Sequence, residues 1–269
     1  MEATMVKISA LGNRAEFVWL YESPLRESVE LYEPTMLHAI PASEHCLESV
    51  VIIGSNVDLR YTDLANLIRQ GHSLFIYDIL ILTEEELAKL FRLAEEAGVF
   101  IFPRLPQRMW VSSEERAMPL VATIEVGIAE SNNSVSWLTH CINAVAMAVS
   151  LVPFGVKRTK FVNGDGLGHH SHFFGCQLEF ENSSLASVSV SINGEYREHI
   201  RVVGQGGVCQ YSRETGGSGG LYPLLAQAQL AQFLDAIARG DATLLAQEVQ
   251  QSQQILHIYH DLKARFVHA

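Results

Sequence analysis

Three histidines stand almost side by side in Gly168-His169-His170-Ser171-His172, and imidazole nitrogen is a common ligand of zinc and nickel. His170 and His172 would share one face of a strand, but no cysteine or acidic residue accompanies them at a recognised metal-site spacing. The run therefore reads as a structural or substrate-lining loop, and no metal is expected. His140, in Ser136-Trp137-Leu138-Thr139-His140, is a second candidate. It reads either as a residual functional group or as a core or helix-surface histidine. Asp78, in Tyr77-Asp78-Ile79, sits where an apolar run gives way to a helix-capping signal, and it could serve a ligand or simply cap the loop.

A fourth candidate lies near the start. From Gly12 the text runs Gly12-Asn13-Arg14-Ala15-Glu16-Phe17, against the G-x-G-x-x-G that lets backbone approach a pyrophosphate at a helix N-terminus. Only the first glycine is present. Arg14 and Phe17 would put bulk where a dinucleotide lies, although an arginine can pair with a phosphate. Glu33, before Pro34, could accept a ribose hydroxyl or be a solvated turn residue.

The elements that must carry these residues can be read from periodicity. Val50-Val51-Ile52-Ile53 is a wholly apolar, β-branched run suited to a strand covered on both faces. A helix follows at about Leu59 to Gln70, then a strand at Leu74 to Tyr77. Thr83-Glu84-Glu85-Glu86 is a capping box, Leu87, Leu90, Phe91 and Ala94 keep helical spacing, and Gly98 closes the helix before a strand at Val99 to Phe102. Such alternation specifies right-handed crossovers and a parallel sheet. Upstream, Met5 to Gly12 and Ser28 to Glu33 read as strands around a helix from about Arg14 to Leu25. A different register, with Phe17 to Tyr21 as the second strand, would empty the central strand position and is disfavoured.

After Pro106 the texture changes to alternating segments at Val121 to Ala129, Arg158 to Val162, Phe173 to Phe180, Leu185 to Ile192 and His199 to Val203, with helices at Ser136 to Leu151, Leu224 to Ala238 and Leu244 to Phe266. The expected architecture is α/β: a Rossmann-like parallel-sheet domain over 1–106, then an α+β domain over 107–269 built on a largely antiparallel sheet.

This order of pieces resembles the Gfo/Idh/MocA family of NAD(P)-dependent oxidoreductases. The family's T-P-N-x-x-H corresponds to Gly54-Ser55-Asn56-Val57-Asp58-Leu59, and its A-G-K-H-V-x-x-E-K-P-L-A-x-T to the stretch from Gln70 to Thr83. Arg239-Gly240-Asp241 and Ile200 to Gly207 also look like family text. The resemblance implies NAD or NADP held near Gly12, Glu33, Gly54, Ser55 and Asn56, and a substrate near Arg108, His169, His170 and His172. It also implies a catalytic lysine where Asp78 stands, and an aspartate where Ser136 stands. A carboxylate has the opposite charge and cannot inherit the lysine's polarising task. With two fingerprint glycines gone as well, the resemblance implies a protein whose dinucleotide binding is weak or absent. Its expected role is that of a non-catalytic binding or partner subunit, pairing through its C-terminal sheet with itself or with an active relative. The alternatives are an oxidoreductase of altered mechanism on a sugar-like or imine substrate, using His140 and Asp78, and a metal-dependent hydrolase or lyase built on the histidine run.

Composition narrows the partners. Nineteen Lys+Arg against thirty Asp+Glu give the 269-residue chain a formal charge of -11, which repels nucleic acid and anionic lipid. The four cysteines Cys46, Cys141, Cys176 and Cys209 form no C-x-x-C, so neither a disulfide framework nor a thiolate metal site is indicated. Without a leader-like stretch or an apolar run of about 18 residues, the expectation is a cytoplasmic protein with free thiols.

Overall fold

The apolar runs fold as their periodicity requires. A computed structural model describes residues 6–13, 17, 20, 27–43, 49–54, 57–77, 79–103, 120–128, 134–152, 154–163, 173–192, 196–205, 207–215 and 222–267. The chain divides into two compact units, Met1–Leu105 with Leu221–Leu256, and Pro106–Gly220 with His257–Ala269.

In the first unit β1 (Lys7–Leu11), β2 (Val29–Tyr32), β3 (Ser49–Ile53), β4 (Ser73–Ile76) and β5 (Ile101–Pro103) form a parallel sheet of order β2-β1-β3-β4-β5. β1 is a central strand, so the first register is the one adopted. All five residues of β3 are buried, because both sheet faces are covered. Ile8, Ala10, Val50, Ile52, Phe75 and Phe102 form one core with Phe17, Leu20 and the side chains Leu230, Phe233, Ala236 and Ile237. Strand alternation puts Val51, Ile53, Leu74 and Ile76 on the opposite face, where α1 (Tyr61–Arg69) and α2 (Glu84–Ala97) pack against each other and against β4 and β5. The α2 cap forms as expected: Thr83 Oγ1 accepts the Glu86 N–H at 3.2 Å, and Glu86 Oε2 accepts the Thr83 N–H at 2.9 Å. Gly98 ends the helix at φ 68°, a left-handed value that favours glycine.

The second unit holds β6 (Val121–Ile128), α3 (Ser134–Leu151), β7 (Val156–Asn163), β8 (Phe173–Phe180), β9 (Leu185–Ile192), β10 (Tyr196–Gly204) and β11 (Gly207–Thr215). Its sheet runs β11-β10-β6-β9-β8-β7, antiparallel throughout except for the parallel pair β6 and β9. Ala122, Ile124, Val126, Val188, Val190, Phe174, Cys176, Ile200 and Val202 are buried on its inner face, and α3 packs on β6, β8 and β9.

Two features depart from the sequence reading. β11 received no element, because Gln210, Ser212, Arg213, Glu214 and Thr215 break up any apolar alternation and pairing with β10 makes it a strand. The division at 106/107 does not contain the return of Leu221–Leu256 to the first unit. That return has a physical cause in α4 (Tyr222–Arg239), whose Leu230, Phe233, Ala236 and Ile237 complete the core of the parallel sheet. α5 (Ala242–Val267) is the last helix, and among the described residues no helix is long and apolar enough to cross a membrane.

Candidate functional site

In the first unit, the strand order reverses between β1 and β3, since the chain leaves β1 for β2 on one side and returns to β3 on the other. Parallel α/β sheets bind ligands outside the carboxyl ends of their strands at such a reversal. Four strand ends meet there in one hydrogen-bonded row. Gly12 N–H donates to Tyr32 O at 3.1 Å, Gly54 N–H to Leu11 O at 2.9 Å, and Tyr77 N–H to Ile53 O at 2.9 Å. Gly12 takes φ 153°, a value that side chains disfavour, so this first fingerprint glycine does serve the backbone. Glu33 follows β2 as an exposed residue, and its side chain makes no cap hydrogen bond to the 3-10 turn at Pro34–Ala39. Gly12, Glu33 and Gly54 are therefore brought to neighbouring strand ends. Ser55, Asn56, Asp78, Arg108, His169, His170 and His172 lie outside the described residues.

Phe17 corrects one expectation. Its ring is fully buried in the core between the sheet and α4, and meets Tyr77 edge-on at 6.5 Å between ring centroids. An aromatic side chain gains more by joining Ile8, Val50 and Phe75 than by facing a polar crevice, so Phe17 does not stand over the strand ends. Its effect on a dinucleotide is indirect. The fingerprint's third glycine lets helix and strand backbones approach closely, and in this chain Phe17 stands at that position. Of the three fingerprint glycines this chain has Gly12 alone, with Arg14 and Phe17 at the other two positions.

Tyr77 was visible in the sequence only as a departure from the family text. In the structure it is half-buried, with its ring against Phe17 and, at 6.4 Å, Phe75. At β2, Tyr32 donates its hydroxyl to Glu30 Oε2 at 2.6 Å, and Lys7 Nζ lies 3.2 Å from the same oxygen. The Tyr32 hydroxyl and then Lys7 hold the Glu30 carboxyl below its usual range, and Glu30 in turn raises Tyr32.

At the opposite, amino end of this sheet lies a pair that sequence reasoning missed. His72 is 1 % exposed, and its Nδ1 lies 2.8 Å from Ser49 Oγ at the start of β3. Burial pushes its pKa down, opposed by the Pro41 carbonyl, and Nε2 has no hydrogen bond of ordinary geometry. The signal was a histidine opening an apolar run, too common a pattern to single out.

In the second unit His140 is half-buried on α3, and burial lowers its pKa. Trp137, one turn earlier, is buried, and its indole Nε1 has no hydrogen-bond partner. Among the described residues no three histidine, cysteine, aspartate or glutamate side chains are placed to hold a metal ion.

Together these features define a two-domain protein with a dinucleotide-type parallel sheet and a second domain built on an open mixed sheet. No protein-family model matches this sequence, and no curated protein matches it either. Solved structures do. A probable dehydrogenase from Thermotoga maritima superposes with a TM-score of 0.73 at 13% identity, covering 98% of this chain and 97% of its own. A Gfo/Idh/MocA family oxidoreductase from Vibrio cholerae gives 0.66 at 14% identity, with 96% and 98% covered. GenD2 from gentamicin A biosynthesis, solved in complex with NAD, gives 0.66 at 12% identity, with 98% and 95% covered. The chain thus has the fold of the Gfo/Idh/MocA-type dehydrogenases along nearly its whole length, and the resemblance seen in the sequence extends to the structure.

Proposed function

We propose that this chain is a non-catalytic binding subunit on the dehydrogenase frame, which retains the two domains and has given up ordinary hydride transfer to a nicotinamide. The observation that carries this reading is Phe17, a fully buried ring at the position where the dinucleotide fingerprint needs no side chain. Two substitutions support it chemically. Asp78 replaces the lysine that would polarise a reacting oxygen, and Ser136 replaces the carboxylate that would share a proton with His140. Titration of the protein with NADH and NADPH, followed by nicotinamide fluorescence and by calorimetry, should show no saturable binding up to hundreds of micromolar. Saturation at tens of micromolar would overturn the reading.

That outcome would favour the second one, an oxidoreductase of altered mechanism. Its support is His140, whose pKa burial lowers, favouring the neutral ring that can accept a proton from a substrate hydroxyl, with Asp78 as the other candidate group. NAD or NADP would then bind in a remodelled pocket, as a structural neighbour solved with NAD suggests.

The partner in the leading reading is a second copy of this chain, or an active relative, packed on the outer face of the second unit's sheet. Six strands at about 4.8 Å spacing and eight residues at about 3.3 Å each give a face of about 750 Å², close to the roughly 800 Å² per partner of a stable interface. Val208, Val203, Val121 and Leu185 are direct cross-strand neighbours along one end of it, and Val121, Leu185 and Val208 are more than half exposed. Thr123, Ser187 and Ser189 keep its middle small. By register this face carries Arg158, Lys160, Arg197 and Arg201 against Glu125, Glu179 and Glu214, so it is nearly balanced in charge, and the net charge of -11 resides elsewhere and does not oppose contact here. The free, buried thiols of Cys141 and Cys176 support a cytoplasmic setting.

A further inference from the structure

We infer that the outer edge of β11 is a strand-pairing surface, and that its partner is the same edge of a second copy, joined antiparallel about a two-fold axis at Tyr211. This goes beyond the face contact proposed above. It uses the backbone of one strand rather than the side chains of six, and either contact can exist without the other.

Backbone geometry fixes which groups are on offer. β10 and β11 pair from Tyr196 with Thr215 to Gly204 with Gly207, around a loop of two residues. A loop that short is closed by a hydrogen-bonded pair, and bonded and non-bonded pairs alternate along an antiparallel ladder. Gly207, Cys209, Tyr211, Arg213 and Thr215 therefore bond to β10, and Val208, Gln210, Ser212 and Glu214 aim their N–H and C=O groups away from it. Among the described residues no strand lies on that side, and Gly207 to Gln210 and Ser212 are exposed.

Long regular edges are templates for further pairing, and proteins blunt the ones they leave to water with bulges, lysines, prolines or short length. The other described edges show such devices. β7 has a bulge between Val156 and Arg158 and carries Lys157, Arg158 and Lys160, while β2 is four residues long and β5 three. β11 has none of them: it runs nine residues with no break in register, no proline and no lysine. Its own copy is the partner that matches it. Turned about Tyr211, Val208 meets Glu214 and Gln210 meets Ser212 in both directions, so every outward residue of each copy is paired, with about eight hydrogen bonds in all. A slide of two residues either way leaves an outward residue of each copy unmatched. In the full register Arg213 comes opposite Cys209, and neither Arg213 nor Glu214 meets its own counterpart, so no like charges are opposed.

The test starts from the Val121→Glu, Leu185→Glu variant of the full chain, in which the face contact is disabled and β11 is untouched. Sedimentation velocity between about 1 and 50 μM should show that it still forms a dimer. Adding Gln210→Pro removes an N–H that points away from β10, a change edge strands tolerate, and should raise the dissociation constant at least about tenfold with an unchanged circular dichroism spectrum. Register is read separately, in a Cys46→Ser background. The two Tyr211 residues would form a non-hydrogen-bonded pair with Cα atoms about 4.5 Å apart, within disulfide reach, so Tyr211→Cys with Cys209→Ser should cross-link on mild oxidation by diamide. The exposed Cys209, about 13 Å along the strands from its counterpart, should not. A face variant that is monomeric at 50 μM would leave this edge to water or to a different chain, and would overturn the inference while the face contact stands. A dimer indifferent to Gln210→Pro and without the Tyr211→Cys cross-link would place the contact elsewhere and overturn it too, and cross-linking through Cys209 instead would exclude the axis at Tyr211.

Discussion

His72 shows what a single buried titratable side chain does to a parallel-sheet domain. Its imidazole pKa is depressed by burial below the ordinary value of about 6.5, so the folded chain binds its proton less readily than the unfolded chain does. The stability contributed by the neutral ring is therefore complete above pH 6.5, and is lost as pH falls from there towards the folded pKa. His140 is shifted the same way by burial and adds to the same window, whereas Glu30, with its lowered pKa, acts only below about pH 4.5. Urea unfolding at pH 7.5 and pH 5.5 should thus give a lower midpoint at the acid pH. His72→Phe should flatten that dependence, and a variant as acid-sensitive as the parent would exclude His72 as its source. The hydroxyl that holds the ring can be tested alone. Ser49→Ala leaves Nδ1 unpaired in the interior and should cost about 1–3 kcal/mol at pH 7.5 by the same measurement.

At the scale of elements, Phe17 separates two accounts of the region after β1. As a core residue against Ile8, Val50 and Phe75 it should cost about 3–5 kcal/mol when cut to alanine, measured by denaturant unfolding. A side chain hanging over the strand ends would cost far less, and its removal would open room for NADH; Phe17→Ala should create no such binding. Thr83→Ala, which removes the cap of α2, should cost about 1 kcal/mol. How legible each element was follows from the strength of its local signal. β3, β4, β8, β9 and α2 could be read nearly to the residue, because wholly apolar runs, strict alternation and a capping box are local patterns that tertiary packing reinforces. β11 could not, since Gln210, Ser212 and Arg213 become a strand only through a partner distant in kind from their own composition. At the site, Gly12 was legible because its backbone geometry demands glycine. The burial of Phe17, the orphaned indole of Trp137 and the Ser49 contact of His72 were not, since each depends on which side chains the fold brings alongside.

At the scale of the molecule, the open face of the second sheet decides whether the chain works alone. A six-stranded sheet buried on one side must leave the other to water or to a partner, and alternation makes the choice visible in β9, where Ala186, Val188 and Val190 point inward and Leu185, Ser187, Ser189 and Ser191 outward. Exposed valine and leucine along one end, directly opposite one another on four strands, would contribute to association by burial, and serine and threonine between them would let two faces approach closely. Sedimentation velocity between about 1 and 50 μM should therefore show a dimer or larger assembly. Introducing Val121→Glu and Leu185→Glu together would place two carboxylates per copy in a dry contact. The dissociation constant should rise at least tenfold, with an unchanged circular dichroism spectrum, because both side chains are about half exposed within the chain and support no core. A parent protein that is strictly monomeric at 50 μM would remove the partner role from this face, and an assembly indifferent to the two glutamates would place the contact on another surface.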